Sequence, residues 1–324
     1  MRFVFRADAS REIGAGHVSR SCVIASELIS RGFQTIFIGQ IHEIKWLEKS
    51  LPNLGFTQVY SNCKDFSSSA KEDVLILDSY TIPLSDSFIH PSKWFSIVNI
   101  FDQATPNYQS DMKIHPGIET VDHPTSEWNL AGKEFFLVRK SMSNYNPPNE
   151  DSKLRITVVG GGTDTLDFSQ VVSSILKDIK TDFVVQLLVS KKTYKFNDER
   201  FNVIEQGEII DVLSRDSDLV LTTASTTALE FISTGCAVGI AQAVDNQRRN
   251  YNMLVELGVA YPIGYYSNNV WNLDFTNISK LVTDSTLRIN LRNNARNWLD
   301  KDGQKRVVDA ILSYVERKSK GSFQ

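Results

Sequence analysis

Residues 6–20 bring Asp8, Gly14, Gly16, His17 and Arg20 into one short stretch. A mostly apolar run leads into it and reads as a strand, and His17 then opens an amphipathic helix. Glycines let a backbone approach a ligand closely, and the free amides of a helix start attract negative charge. A histidine placed there feels the positive end of the helix dipole, which favours neutral imidazole. Neutral imidazole at a phosphate-attracting helix start has the makings of a general base beside a phosphorylated substrate. The plainer reading is a histidine that caps its helix or packs under the loop. Gly14 and Gly16 favour the chemical one.

A second stretch, Ser225-Thr226-Thr227-Ala228-Leu229-Glu230, offers hydroxyls and amides at a predicted helix start, a fitting cradle for a diphosphate. Thr227-x-x-Glu230 also matches a capping box, in which Glu230 would bond back to the N-cap amide. The other reading has Glu230 hold the two hydroxyls of a ribose, and the spacing leaves both readings open. Gly160-Gly161-Gly162-Thr163-Asp164 follows a predicted strand but lacks the glycine spacing of a dinucleotide fold and the Gly-Lys-Ser/Thr ending of a P-loop. Asp216-Ser217-Asp218 has D-x-D spacing, yet it precedes a strand and reads as a solvated turn. His42, His90, His115 and His123 share no ligand spacing and read as surface or loop residues. No metal site is expected, and no serine-hydrolase elbow or H-E-x-x-H motif occurs.

The elements that must position these residues alternate. Strands are predicted at 3–7, 33–39, 74–77 and 94–101, with helices at 18–31 and 43–49 between them. After a polar, Pro-Pro-containing linker at 141–153 the alternation restarts. Strands are predicted at 154–159, 183–190, 219–222 and 237–241, with helices at 168–180, 209–215, 227–233 and 248–257, and a mostly helical section at 284–317. This is the pattern of parallel sheets covered on both faces, whose ligands sit beyond the carboxyl ends of the strands. The expected domains are 1–146, with the catalytic loop, and 147–324, with the C-terminal helices.

Composition bounds the rest. At 324 residues the chain exceeds the usual size of one core, and 41% hydrophobic with 23% charged residues is ordinary for a globular protein. A formal net charge of −3 gives no electrostatic reason to expect nucleic acid as a partner. Arg317, Lys318 and Lys320 read as solvating the end of the last helix. Cys22, Cys63 and Cys236 are odd in number and far apart, which fits a reducing compartment. No signal peptide or integral membrane segment is expected, and the protein reads as cytoplasmic.

Several motifs, in this order, resemble the PseG family of UDP-sugar hydrolases, related to SpsG proteins and more distantly to MurG. They are Arg-Ala-Asp-Ala-Ser…Ile-Gly-Ala-Gly-His-Val-Ser-Arg at the start, Asp78-Ser79-Tyr80, Phe136-Leu137-Val138-Arg139, Gly161-Gly162-Thr163-Asp164, Ser225-Thr226-Thr227-x-x-Glu230 and Asp245-Asn246-Gln247. The resemblance spans nearly the whole chain. It departs at Ala224, Leu229, Asp102-Gln103 and Phe231-Ile232-Ser233-Thr234, where the family has other residues.

The resemblance implies an α/β GT-B fold: two Rossmann-like domains with parallel sheets facing a central cleft, the nucleotide held mainly by the second. It implies metal-independent cleavage between an anomeric carbon and UDP, with no cofactor. By position His17 activates water, joined by Asp8 and Tyr80 in the catalytic set. Gly14, Gly16, Arg20, Gly161, Gly162, Thr163, Ser225, Thr226, Thr227, Glu230, Asn246 and Gln247 make up the substrate-binding set. The leading expectation is a nucleotide-sugar hydrolase releasing an amino- or deoxy-sugar for surface-polysaccharide or pseudaminic-type acid synthesis. The alternatives are an inverting GT-B glycosyltransferase, in which His17 deprotonates an acceptor hydroxyl, and a non-catalytic nucleotide-sugar binder. The sugar, the nucleotide and the oligomeric state are not fixed by the sequence.

Overall fold

The computed structural model describes residues 1–10, 12–66, 70–101, 105–118, 128–139, 142, 153–161, 164, 166–189, 198–205 and 216–321. The expectations for Asp102-Gln103, His123, Gly162, Thr163, the helix at 209–215 and most of the linker lie outside them.

The chain divides into two compact units, Met1–Lys140 with Asp302–Gln324, and Ser141–Lys301. In the first, β1 (Phe3–Ala7), β2 (Thr35–Ile38), β3 (Gln58–Tyr60), β4 (Val74–Asp78), β5 (Ser96–Ile100), β6 (Met112–Ile114) and β7 (Asn129–Leu130) form a parallel sheet of order β3-β2-β1-β4-β5-β6-β7. Side chains alternate along β1. Phe3, Phe5 and Ala7 pack with Val18, Ile24 and Leu28 of α1 (Gly16–Ser30) on one face. Val4 joins Ile36, Leu75, Leu77, Ile97 and Trp94 on the other. Both faces are covered, as a parallel sheet requires. A short helix, α2 (Lys45–Ser50), follows β2.

The second unit repeats the plan with β8 (Leu154–Val159), β9 (Phe183–Val189), β10 (Phe201–Glu205), β11 (Leu219–Thr223), β12 (Ala237–Gln242), β13 (Tyr261–Ser267) and β14 (Val270–Leu273) in the order β10-β9-β8-β11-β12-β13-β14. Its helices are α3 (Phe168–Asp178), α4 (Thr226–Thr234), α5 (Arg248–Glu256), α6 (Phe275–Thr283) and α7 (Ser285–Trp298). One departure from the expected parallel sheets is the antiparallel pair β13–β14. Its two-residue turn holds Asn268 at φ 51° and Asn269 at φ 61°, the doubly left-handed turn that matches strand twist.

Both sheets switch direction between their first and fourth strands, and both lock that switch in the same way. Arg2 donates its backbone N–H, Nε and Nη2 to Asp73, and Arg155 donates the same three groups to Asp218. Asp218 is only 1% exposed, and Ser217 is buried with its Oγ 2.5 Å from Thr157 Oγ1. Of the D-x-D segment only Asp216 is exposed to solvent; Ser217 and Asp218 are buried and tie the amino end of β11 to β8.

The last helix, α8 (Gly303–Ser319), belongs to the first unit rather than the second, where the sequence placed it. Val307, Val308, Ile311 and Val315 join the core beneath α1. Arg31 donates to Asp309 at 2.5 Å, Arg306 to the Glu134 carbonyl at 2.7 Å, and Tyr314 to Asp111 at 3.1 Å. Lys318 also reaches Asp111, at 2.9 Å, and Arg317 lies over the Trp128 ring, so these two cations do more than solvate a helix end. An amphipathic pattern shows that a helix needs an apolar partner but not which sheet supplies it.

Candidate functional site

In the first unit, the carboxyl ends of β1 and β4 lie side by side at the switch point, with Ala7 in register with Asp78. The loop leaving β1 is pinned at both ends. Ala9 donates to the Gln40 carbonyl, His42 donates to the Ala9 carbonyl, and Gly14, at φ 84°, donates to the Ser10 carbonyl at 2.7 Å. A side chain at Gly14 or Gly16 would meet nothing within 4 Å, so the loop leaves open space there.

The turn delivers His17 into the first turn of α1, where it is 3% exposed. Its Nδ1 lies 2.5 Å from Asp78 Oδ1. Arg20, one turn on, donates Nε to Asp78 Oδ2 at 2.5 Å and Nη2 to Oδ1 at 2.6 Å. Tyr80 meets the imidazole edge-on, with ring centroids 4.2 Å apart.

Burial alone would push the Asp78 carboxyl up. The charge of Arg20 and the hydrogen bonds from Arg20 and His17 outweigh it and hold Asp78 below the usual carboxylate range. An ionised carboxylate only accepts, so His17 Nδ1 carries the proton and donates it, and Nε2 is left as the basic nitrogen. Arg20 Nη2, 2.9 Å from the same Nδ1, is bound through Asp78 rather than through the ring.

Of the expected residues of this unit, His17, Tyr80 and Arg20 thus come together. Asp8 does not join them. Its Oδ1 accepts from Arg6 Nη1 at 2.6 Å and from the Gln40 N–H at 2.8 Å, which ties the strand end to the neighbouring loop. The carboxylate that meets His17 is Asp78 of the Asp78-Ser79-Tyr80 motif, a residue absent from the expected catalytic set. The signal for it is its place at the carboxyl end of the strand beside β1. His115 lies just past β6, outside any strand or helix, but is buried at 5% exposure rather than on the surface, its Nε2 2.9 Å from Asn129 Oδ1.

In the second unit a cavity of about 200 Å³ lies at the carboxyl ends of β8, β11 and β12, lined by Gly160, Gly161, Asp164, Thr223, Ser225 and Gln247 among others. Gly161 is left-handed at φ 88°, and a Cβ there would point at Thr223 Oγ1, 3.4 Å away, and Ser225 Oγ, 3.6 Å away. Asp164 is buried, and burial pushes its carboxyl up even though amides of α3 bind it. Phe168 and Trp271 close the cavity with aromatic walls, their rings in edge contact at 5.0 Å.

Ser225 is the N-cap of α4, and its side chain caps no amide. The Ala228 N–H donates to the Ser225 carbonyl at 3.0 Å, and the amides before it precede the first carbonyl the helix could offer them. The capping-box reading fails here: with Ser225 as N-cap, Glu230 stands in the second turn, buried at 7% exposure. Gln247 accepts from the Ala243 N–H at 2.9 Å through Oε1, which leaves its Nε2 as a donor at the cavity. Thr227 and Glu230 are buried, Thr226 and Asn246 are exposed, and none of the four lines the cavity. Among the described residues no group of three His, Cys, Asp or Glu side chains has the makings of a metal site.

No family model matches the chain. A UDP-2,4-diacetamido-2,4,6-trideoxy-beta-L-altropyranose hydrolase of Campylobacter jejuni is 22% identical over 242 residues, 69% of this chain and 86% of the relative. An uncharacterized protein of Methanocaldococcus jannaschii is 24% identical over 291 residues, covering 78% of this chain and 58% of that protein. Among solved structures, the spinosyn forosaminyltransferase SpnP superposes with a TM-score of 0.63 at 11% identity, over 97% of this chain and 99% of that one. The glycotransferase of kitacinnamycin gives 0.62 at 12%, over 98% of both chains. MurG of Acinetobacter baumannii gives 0.55 at 14%, over 97% of this chain and all of that one. In fold the chain is therefore an α/β protein of the GT-B glycosyltransferase type, and in sequence it resembles a UDP-sugar hydrolase.

Proposed function

We propose that this chain is a nucleotide-sugar hydrolase that cleaves the bond between an anomeric carbon and a nucleoside diphosphate. The observation that carries the reading is the His17 Nδ1–Asp78 contact of 2.5 Å, which leaves Nε2 as a base. Water attacks the anomeric carbon as its proton passes to His17 Nε2, and the imidazolium that forms is held by Asp78. The carbon–oxygen bond breaks, its electron pair leaves with the diphosphate, and a single displacement inverts the anomeric centre. Ser225, the first amides of α4, Gly161 and Gln247 take up the phosphate charge, and Glu230 takes the ribose hydroxyls. UDP, an amino- or deoxy-sugar, surface-polysaccharide or pseudaminic-type acid synthesis and a cytoplasmic site of action are the finer parts of the proposal. The hydrolase relative supports the nucleotide and the sugar class.

The test is UDP release from a panel of UDP-sugars without acceptor, with the first-formed anomer followed by proton NMR. Prompt release with inversion is expected, undiminished by EDTA. His17→Asn should lower the rate on the order of 10²-fold or more. The glycosyltransferase neighbours favour one other reading, transfer to an acceptor hydroxyl, and release that depends on an added acceptor would establish it instead. Turnover untouched by His17→Asn would remove both.

A further inference from the structure

We infer that Arg20, expected from sequence to touch substrate, is instead a positioning residue that sets the proton count of the His17–Asp78 pair. This rests on the reading of His17 as the base.

Asp78 has no solvent exposure, and both its oxygens are engaged by one guanidinium, Nε on Oδ2 and Nη2 on Oδ1. A buried carboxylate keeps its charge only while it is paired. The remaining acceptor capacity of Oδ1 faces His17 Nδ1. With Arg20 in place the Asp78–His17 pair holds one proton, on Nδ1, and Nε2 is bare. Without that cation the pair takes up a second proton. If the proton settles on Asp78, the new O–H donates to Nδ1 and the ring proton moves to Nε2. If it settles on the ring, both nitrogens are protonated. Either way Nε2 carries hydrogen and no longer serves as a base. Arg20 Nη2 also lies 2.9 Å from Nδ1, held there by its bond to Asp78 Oδ1.

Among the described residues, the other groups around the ring do not supply this control. Tyr80, on the loop after β4, meets it edge-on, and Asp8, at the end of β1, is held by Arg6 and the Gln40 N–H. Arg20 therefore reaches the chemistry through Asp78 and His17.

The full-length chain, its histidines labelled with ¹⁵N, reports the proton count directly. In wild type at pH 7 the His17 Nε2 resonance should be that of an unprotonated nitrogen, with the Nδ1 proton far downfield. In Arg20→Gln, Nε2 should be protonated. An Arg20→Gln spectrum identical to wild type overturns the inference. These spectra need no substrate, so they decide it even if the hydrolase reading fails the UDP-release assay.

With a hydrolysed UDP-sugar, Arg20→Gln should move the acid limb of the rate profile up by at least one pH unit, with KM changing less than threefold. Arg20→Lys, which keeps the charge and loses the fork, should leave the limb in place. A tenfold rise in KM with an unmoved limb would make Arg20 a substrate contact and overturn the inference. Should Arg20→Gln not fold, the comparison of Asp78→Asn with Asp78→Asn/Arg20→Gln stands in. The second change should cost less than threefold on top of the first, and a further tenfold loss overturns the inference.

Discussion

Asp78 keeps a negative charge with no solvent contact, so part of the fold's stability depends on pH through it. Its folded-state carboxyl sits below the ordinary 3.8, because Arg20 and His17 outweigh the effect of burial. A depressed folded value means stability that is fully present above the unfolded value and lost as pH falls through the folded one. Asp78→Asn should therefore cost about 3–5 kcal/mol in urea titrations at pH 7, the usual penalty for breaking a buried pair, and progressively less below pH 3.8. An equal deficit at pH 7 and pH 3 would contradict this. The sequence placed Asp8 and Asp78 at the ends of neighbouring strands, but not which of them meets His17. That choice lies in the register of Ala7 with Asp78, 71 positions apart in the chain and without a local signature. His17 was readable because its glycines and helix start are adjacent in sequence.

At the scale of elements, α4 separates two roles that a helix start can play. The Ser225 side chain caps no amide, so Ser225→Ala should leave stability within roughly 0.5 kcal/mol of wild type, less than the ~1 kcal/mol of an ordinary cap. If Ser225 binds phosphate, UDP affinity should fall about tenfold, by the worth of one hydrogen bond to a charged group. Calorimetric titration and urea unfolding measure the two separately, and the reverse pattern would make Ser225 a structural cap. The central strands were legible because each is a continuous apolar run: β8 and β11 are buried along most or all of their length. The edges were not. β3 shows an exposed pattern, and β14 alternates exposed with half-buried residues after a turn of two asparagines, a weaker signal than Asn-Gly.

On the scale of the molecule, each unit has its own core, one built on β1 and α1 with α8, the other on β8, α3 and α6. Two unfolding transitions are expected by calorimetry. UDP at a hundred times its Kd should raise only the transition of the second unit, by roughly 5–10 °C from mass action on a domain of this size. A shift of the first unit's transition alone would move the nucleotide site out of the β8–β11–β12 cavity.

The return of α8 to the first sheet also sets an order of assembly. The second unit, Ser141–Lys301, is an insertion between the body of the first unit and the helix that completes its core. As the chain leaves a ribosome, the earlier-made sheet waits, part of the face it shares with α1 uncovered, while 161 further residues are synthesised. At roughly 5–20 residues per second that interval is about ten to thirty seconds. The half of the protein made first is thus the half finished last, and the apolar surface beside α1 that α8 later covers is where a nascent-chain chaperone would have most to protect.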